Sequence, residues 1–247
     1  MKNLTELLQK EYIDIEEITK QEIKQSSHYG IIQTLFEKWI SYVKDRKNGG
    51  LGESEFLGAY HCARNILIGA NTKYSQGDIS TLSLAIPLID KSNSHWNALF
   101  LSGLFLSALI NNHYENTHTQ EPYLIITKAF EGEGIFGGED YSGPEQIGLR
   151  NSGSIIIVDG NVGDYLGKEM DAGKIIVNGM ASKYIGIGMT DGEIYIKKGC
   201  EEINIAQKIN KNGKIVIDGE IKNIQFTNSY LGREVIHNGV TLNKGVK

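Results

Sequence analysis

The chain contains one short phrase four times: GSIIIVDG from Gly153, GKIIVNG from Gly173, GEIYIKKG from Gly192 and GKIVIDG from Gly213. Successive copies begin 20, 19 and 21 residues apart. The segments between the phrases repeat as well, since Met170 and Met189 are 19 residues apart. Self-similarity at a period near 20 residues is typical of a repeat architecture, in which each copy forms one structural unit.

A parallel β-helix explains this repeat better than a series of hairpins. Turns such as Asp-Gly and Asn-Gly usually predict two-residue hairpins. Here, however, the segments that follow the Ile- and Val-rich runs are long and repeat in register with them. In a β-helix each circuit rises by one strand spacing, about 4.8 Å, and glycines recur where the chain turns sharply. The predicted corners are Gly153, Gly160, Gly163, Gly167, Gly173, Gly179, Gly186, Gly192, Gly213 and Gly219.

Alternation along each strand predicts which side chains face inward. Counting from the leading glycine of each phrase, the second and fourth residues are all β-branched and are predicted to face the interior: Ile155, Ile157, Ile175, Val177, Ile194, Ile196, Ile215 and Ile217. The residues between them form a predicted outward ladder of Ile156, Ile176, Tyr195 and Val216. Four large apolar residues on an outward face indicate that this face is covered, either by the helices of the same chain or by another chain. These four are the candidate interface residues.

Neighbouring coils should also stack Tyr165 on Tyr184 and place Asp164 beside Lys183 as an opposite-charge pair. The repeat is lost after Lys222, and the remaining residues are predicted to cap the open end.

The first half of the chain has the periodicity of helices. Apolar residues recur at helical spacing over 3–24, 30–47, 53–69, 78–91 and 94–114. Only 8 of the 29 glycines precede residue 121, and this step in composition marks a domain boundary. The predicted fold is therefore α+β, with a helical bundle over 1–118 followed by a right-handed parallel β-helix with a C-terminal cap over 119–247.

Composition excludes several classes of function. The formal net charge is −5 and no basic stripe is present, so nucleic acid is not an expected partner. The N-terminus is charged, and the longest apolar run, 98–110, is too short to cross a membrane, so we expect a cytoplasmic protein. The two cysteines, Cys62 and Cys200, are far apart and are predicted to be unpaired thiols.

No motif assigns a reaction, a cofactor or a metal. The cluster His61, Cys62 and Arg64 is predicted to be an inert part of a helix, and His113 and His118 to be surface residues. The acidic residues of 131–145 are Glu131, Glu133, Glu139, Asp140 and Glu145; they lack the order of a calcium loop and are expected to be solvated. An enzyme would have to use histidines or carboxylates from 113–145 in a groove between the bundle and the β-helix.

Residues 160–196, GNVGDYLGKEMDAGKIIVNGMASKYIGIGMTDGEIYI, resemble the Gly-rich β-helix shared by the C-terminal domain of glutamate synthase and the β-helical subunit of formylmethanofuran dehydrogenase. The first coil keeps nearly all of the family phrase, with Ala172 in place of one glycine. The second coil departs at Ser182, Lys183 and Asp191.

The resemblance implies a scaffold rather than a catalyst, because in those enzymes the β-helix holds catalytic domains or subunits together. The helical first half has no counterpart that we can place in either enzyme. Nor does the sequence show an amidotransferase cysteine at its N-terminus, a flavin-binding barrel or iron–sulfur spacing. We therefore expect a non-catalytic scaffold that binds a partner subunit, with a homo-oligomeric binding protein or a small-molecule enzyme as the alternatives.

Overall fold

A computed structural model describes residues 28–45, 53–89, 96–128, 143–206, 209–227 and 232–243. Four helices come first: α1 (Tyr29–Asp45), α2 (Glu53–Ala70), α3 (Gln76–Ile89) and α4 (Trp96–Thr117). These agree with four of the five predicted helices to within a few residues. The fifth, over 3–24, and residues 131–142 of the acidic segment 131–145 lie outside the described residues.

The helices pack around an aromatic cluster. Phe36 and Trp39 of α1 are both fully buried, and the ring of Phe105 from α4 lies 5.2 Å and 5.5 Å from theirs. The indole Nε1 of Trp39 donates a hydrogen bond to the carbonyl of Ala59 in α2, at 2.9 Å. The apolar faces predicted from helical spacing therefore meet in one core, with α4 buried nearly all round over 101–111.

A parallel β-helix follows. Its strands are β1 (Tyr123–Ile126), β2 (Ser152–Asp159), β3 (Ala172–Val177), β4 (Glu193–Ile196), β5 (Gly199–Ala206), β6 (Ile209–Ile217), β7 (Glu220–Thr227), β8 (Gly232–His237) and β9 (Val240–Thr241). The large sheet, named sheet A here, has the order β1-β2-β3-β4-β6-β8-β9, and the small sheet, named sheet B, pairs β5 with β7. All pairings are parallel except β8 with β9. The α+β architecture with a β-helix is thus confirmed.

The predicted register is right in three coils and wrong by one residue in the first. Ile156, predicted to face outward, is fully buried and pairs with the inward Ile175, whereas Ile157 pairs with Ile176. The cause is one extra residue in the first phrase, which the sheet accommodates as an irregularity between Ser152 and Ile155. At this irregularity the side-chain oxygen of Asn151 accepts hydrogen bonds from the amides of Gly153 and Ser154 and from the Ser154 hydroxyl.

Seven of the ten predicted corner glycines have positive φ: Gly153, Gly160, Gly167, Gly173, Gly186, Gly192 and Gly219. Of the other three, Gly163 and Gly179 are required by close approach instead, whereas the atoms nearest to a Cβ on Gly213 belong to the flexible side chain of Met189, at 3.0–3.2 Å. A Cβ on Gly179, for example, would lie 2.4 Å from the carbonyl oxygen of Gly160. Glycine is therefore needed at the corners for two separate reasons, turn geometry and the tight stacking of coils.

The turns between the walls of the β-helix also stack. The rings of Tyr165 and Tyr184 lie 4.9 Å apart at 20°, as predicted. The predicted Asp164–Lys183 pair differs, because Asp164 accepts a hydrogen bond from the backbone amide of Lys183 at 3.1 Å. The Lys183 ammonium instead lies 3.9 Å from the carboxylate of Glu201, in the next coil.

The structure adds a coil that the sequence did not reveal. Residues 143–151 stack on 162–170, with the amide of Gln146 bonded to the carbonyl of Asp164 at 2.8 Å. Gln146, Tyr165 and Tyr184 occupy equivalent positions 19 residues apart, and all three have φ near +60°. The first coil therefore begins with β1 and is completed by 143–151.

Helices α3 and α4 seal the N-terminal end of the β-helix. On α3, the hydroxyl of Ser80 donates to the carbonyl of Leu124 at 2.7 Å, and that of Ser83 accepts from the amide of Ile126 at 2.9 Å. On α4, the hydroxyl of Ser107 donates to the carbonyl of Gln146 and accepts from the amide of Gly148, both at 2.9 Å. All three serines are buried. Side chains thus satisfy backbone groups that an open edge would leave unpaired.

In the described part of the chain, the C-terminal end is closed on one side only. The antiparallel hairpin of β8 and β9 ends sheet A, and the Asn243 side chain bonds the amide of Val235 and the carbonyl of Arg233. In sheet B, β7 is an edge strand, and no described strand pairs with its free side. The cap predicted after Lys222 is therefore present for sheet A but, within the described residues, absent for sheet B.

Candidate functional site

The outward face of sheet A carries an apolar row between two polar rows. The apolar row is Leu124, Ile157, Ile176, Tyr195, Val216 and Ile236, one residue from each strand. On one side, in-register residues alternate in charge as Lys174, Glu193, Lys214 and Glu234. On the other side, the residues that follow the strands are polar: Asn178, Lys197, Asp218 and Asn238. An apolar centre with a polar rim is the usual composition of a protein interface.

Exposure differs along the apolar row. Leu124 and Ile176 are 5 % and 6 % exposed, whereas Ile157, Tyr195, Val216 and Ile236 are half-buried. Five strand spacings make the row about 24 Å long. The predicted candidates Ile176, Tyr195 and Val216 therefore lie together on one face, and Ile157 takes the place that was predicted for Ile156.

Polar contacts hold the side chains of this face in position. The Tyr195 hydroxyl donates a hydrogen bond to the carboxylate of Asp218, and the Lys174 ammonium lies 2.8 Å from the carboxylate of Glu193. Burial, together with the neighbouring Asp218, raises the pKa of Tyr195 to about 12. The tyrosine is therefore a neutral donor at physiological pH, with its ring fixed in the centre of the row.

The described helices contact the β-helix at its beginning, at β1 and β2. Hydrogen bonds to a strand edge lie in the plane of the sheet, so Ser80 and Ser83 place α3 beyond the edge of β1 rather than over the face. Helix α4 packs against β2 and against 145–150. Leu124 at the start of the row is nearly fully buried, while Tyr195, Val216 and Ile236 stay partly open.

Among the described residues of 113–145, Glu145 does not share a groove with the histidines. The carbonyl of Glu145 lies against Gly103 of α4, so closely that a Cβ there would be 1.9 Å from its oxygen. His113 is ten residues further along the same helix, which is about 15 Å away. His118 lies just beyond the helix and is exposed. Burial, with the charge of Asp164 as a second cause, raises the pKa of Glu145 to about 7.

His113 has a structural setting, contrary to its predicted place on the surface. It is half-buried, and its Nδ1 lies 2.8 Å from the hydroxyl of Tyr123. It also bonds the backbone of Tyr74, and burial lowers its pKa below the ordinary value. The Tyr74 hydroxyl in turn donates to the carbonyl of Leu109 and accepts from the side-chain amide of Asn112. The imidazole therefore links α4, the loop before α3 and the start of β1.

Two clefts lie on the helical bundle. One, of about 640 Å³, is formed by α2, the loop 71–74 and α4, and contains the ion pair of Arg64 with Glu115 at 2.5 Å. The other, of about 580 Å³, lies between α1 and α2 and is lined in part by Cys62. Cys62 is half-buried and Cys200 fully buried, and neither forms a disulfide, as predicted.

The described ranges contain neither a metal-binding cluster nor a membrane-spanning helix. In this part of the chain no group of three or more histidines, cysteines or acidic residues could hold a metal ion. Of the helices described, none has the length and apolar character needed to cross a membrane.

Comparison of the chain with protein-family models, with curated proteins and with solved structures gives no match. The face of sheet A is therefore identified by its own geometry. Sequence reasoning found three of its apolar residues and missed the alternating row beside them. The signal for that row was present, since Lys174, Glu193 and Lys214 each follow the leading glycine of a phrase.

Proposed function

We propose that this protein is a non-catalytic scaffold that binds a partner subunit through the outward face of sheet A. The observation that carries the proposal is the row of half-buried apolar side chains, Ile157, Tyr195, Val216 and Ile236, on a face that the helices leave partly open. A rigid, repetitive face with an apolar centre suits the docking of a folded partner.

The resemblance of residues 160–196 to the β-helix of glutamate synthase and formylmethanofuran dehydrogenase supports the same role. In those enzymes the β-helix joins catalytic parts and carries no chemistry of its own. The partner expected from this resemblance is a redox or amidotransferase subunit. The contacts of His113 also favour a scaffold, because its hydrogen bonds to Tyr123 and to the backbone of Tyr74 hold structural elements together.

The test is a pair of lysine substitutions on the face, Tyr195→Lys and Val216→Lys, made together. A lysine at 195 can still pair with Asp218, so the fold should be retained while the centre of the row becomes charged. Affinity purification of the wild-type chain from its native host should recover one partner in stoichiometric amount, and the double variant should lose it.

The matched control is Ile68→Lys, which places the same charge on an isoleucine of α2 that is 59 % exposed. This variant should keep the partner. Circular dichroism melts of all three proteins show whether folding is preserved. Recovery of the wild-type chain alone, or equal recovery of the partner with the double variant, would refute the proposal.

A further inference from the structure

The free edge of β7 is the most exposed strand surface in the described part of the chain. Six of its eight residues are exposed: Glu220, Lys222, Asn223, Ile224, Gln225 and Phe226. In β5, its partner strand, Ile203 and Ile205 occupy the positions paired with Ile224 and Phe226 and are fully buried. The apolar interior of the β-helix therefore reaches the surface at β7, where Ile224 is 38 % and Phe226 69 % exposed.

The other face of β7 is polar. Asn223 and Gln225 both donate hydrogen bonds to the carboxylate of Glu202, at 3.0 Å and 2.8 Å. Alternation places these two residues on the outward face and Ile224 and Phe226 on the inward face. An exposed edge with an ordered polar face and an uncovered apolar face is prepared for pairing with one more strand.

We propose that the strand which completes sheet B is β7 of a second copy of this chain, paired antiparallel across a two-fold axis. The N-terminal end of another copy is already occupied, because α3 bonds the edge of β1 through Ser80 and Ser83 and α4 bonds 146–148 through Ser107. Head-to-tail stacking is thereby excluded, and the two C-terminal edges are left to meet each other. Such a contact uses the same surface on both copies and therefore forms a closed dimer rather than a longer assembly.

The sequence of β7 is complementary to itself in this arrangement. With the axis at Gln225, Ile224 lies opposite Phe226 of the second copy, and Asn223 lies opposite Thr227 of the second copy. An aromatic side chain opposite a β-branched one is a favourable cross-strand pair. The like charges of Lys222 in the two copies are six residues apart along the ladder, about 20 Å, so they do not face each other.

This dimer is independent of the partner proposed for sheet A, because the two surfaces lie on different sheets. The direct test is sedimentation equilibrium of the full chain, wild type and Phe226→Lys. The wild type should sediment at twice the monomer mass of 27.4 kDa. The variant should dimerise at least about tenfold more weakly, since each dimer loses two buried phenylalanines and gains two charges.

Ile68→Lys is the matched control, since it changes another exposed apolar residue, on α2, and should leave the dimer intact. Tyr195→Lys with Val216→Lys should also leave it intact, which separates this contact from the one on sheet A. Phe226→Lys that dimerises as tightly as wild type, or a wild type that stays monomeric up to about 0.5 mM chain, overturns the proposal.

A cysteine at the axis tests the register without depending on Phe226. In an antiparallel ladder opposite Cα atoms lie about 4.5–5.5 Å apart, within the range of a disulfide. Gln225→Cys should therefore form a covalent dimer on mild oxidation. Asn223→Cys should not do so beyond the level of the native cysteines, because the two copies of that residue are about 13 Å apart. A covalent dimer from Asn223→Cys but not from Gln225→Cys would contradict the pairing.

Discussion

Ser107→Ala removes one hydroxyl that satisfies two backbone groups at the sealed end of the β-helix. The hydroxyl donates to the carbonyl of Gln146 and accepts from the amide of Gly148, both at 2.9 Å, and Ser107 is 1 % exposed. Alanine leaves the Gly148 amide buried without a partner, while the Gln146 carbonyl keeps one hydrogen bond, from the amide of Leu149 at 3.2 Å. An unsatisfied buried polar group costs about 1–3 kcal/mol, so the expected loss is about 1–3 kcal/mol in the free energy of unfolding. That is a large share of the roughly 5–15 kcal/mol that stabilises a protein.

Urea unfolding followed by the fluorescence of the buried Trp39 measures the change. Hydrogen exchange adds a local measurement, since the Gly148 amide should lose its protection in the variant. Ser41→Ala is the control, because Ser41 is an exposed helix serine whose hydroxyl bonds only the carbonyl of Glu37, and its removal should cost less than about 0.5 kcal/mol. If Ser107→Ala is as stable as Ser41→Ala, the serine contacts do not seal the end of the β-helix.

Two further predictions concern the first coil. Both side-chain polar atoms of Gln146 are buried without a hydrogen-bond partner. Gln146→Met should therefore raise the free energy of unfolding by about 1–2 kcal/mol. A melting temperature below that of the wild type would contradict this. The pKa of Glu145 is raised to about 7, above its value near 4.3 in an unfolded chain, so the native state holds an extra proton between those values and loses stability as pH rises through them. Glu145→Gln cannot ionise and should gain stability relative to wild type between pH 5 and pH 8; a difference in urea midpoint that does not change with pH would refute this reasoning.

Local periodicity was sufficient to predict the β-helix, because glycine corners and β-branched runs are properties of short segments. The register of the strands was harder to predict. One inserted residue near Ser154 shifts every side chain of β2 to the other face, and only the ladder with Ile175 shows where the insertion is absorbed. The coil at 143–151 was missed because Gln146 and Arg150 share little chemistry with Tyr165 and Glu169, although their backbone conformations are the same.

The candidate interface was predicted only in part. Ile176, Tyr195 and Val216 could be placed on one face from alternation alone. What covers them depends on where the helices dock, and that is decided by contacts between residues more than 35 positions apart, such as Ser107 with Gln146 and Ser83 with Ile126. Serines in a helix are ordinary in a sequence, so nothing local marks these as edge-capping residues.

Cys200 is a natural probe for local opening of the β-helix. The side chain is fully buried in line with Val162 and Ala181, and burial raises the pKa of its thiol to about 12. A protonated, enclosed thiol does not react with alkylating reagents. The rate at which Cys200 is alkylated therefore measures how often the middle coil separates from its neighbours. The half-buried Cys62 supplies a reference thiol in the same molecule.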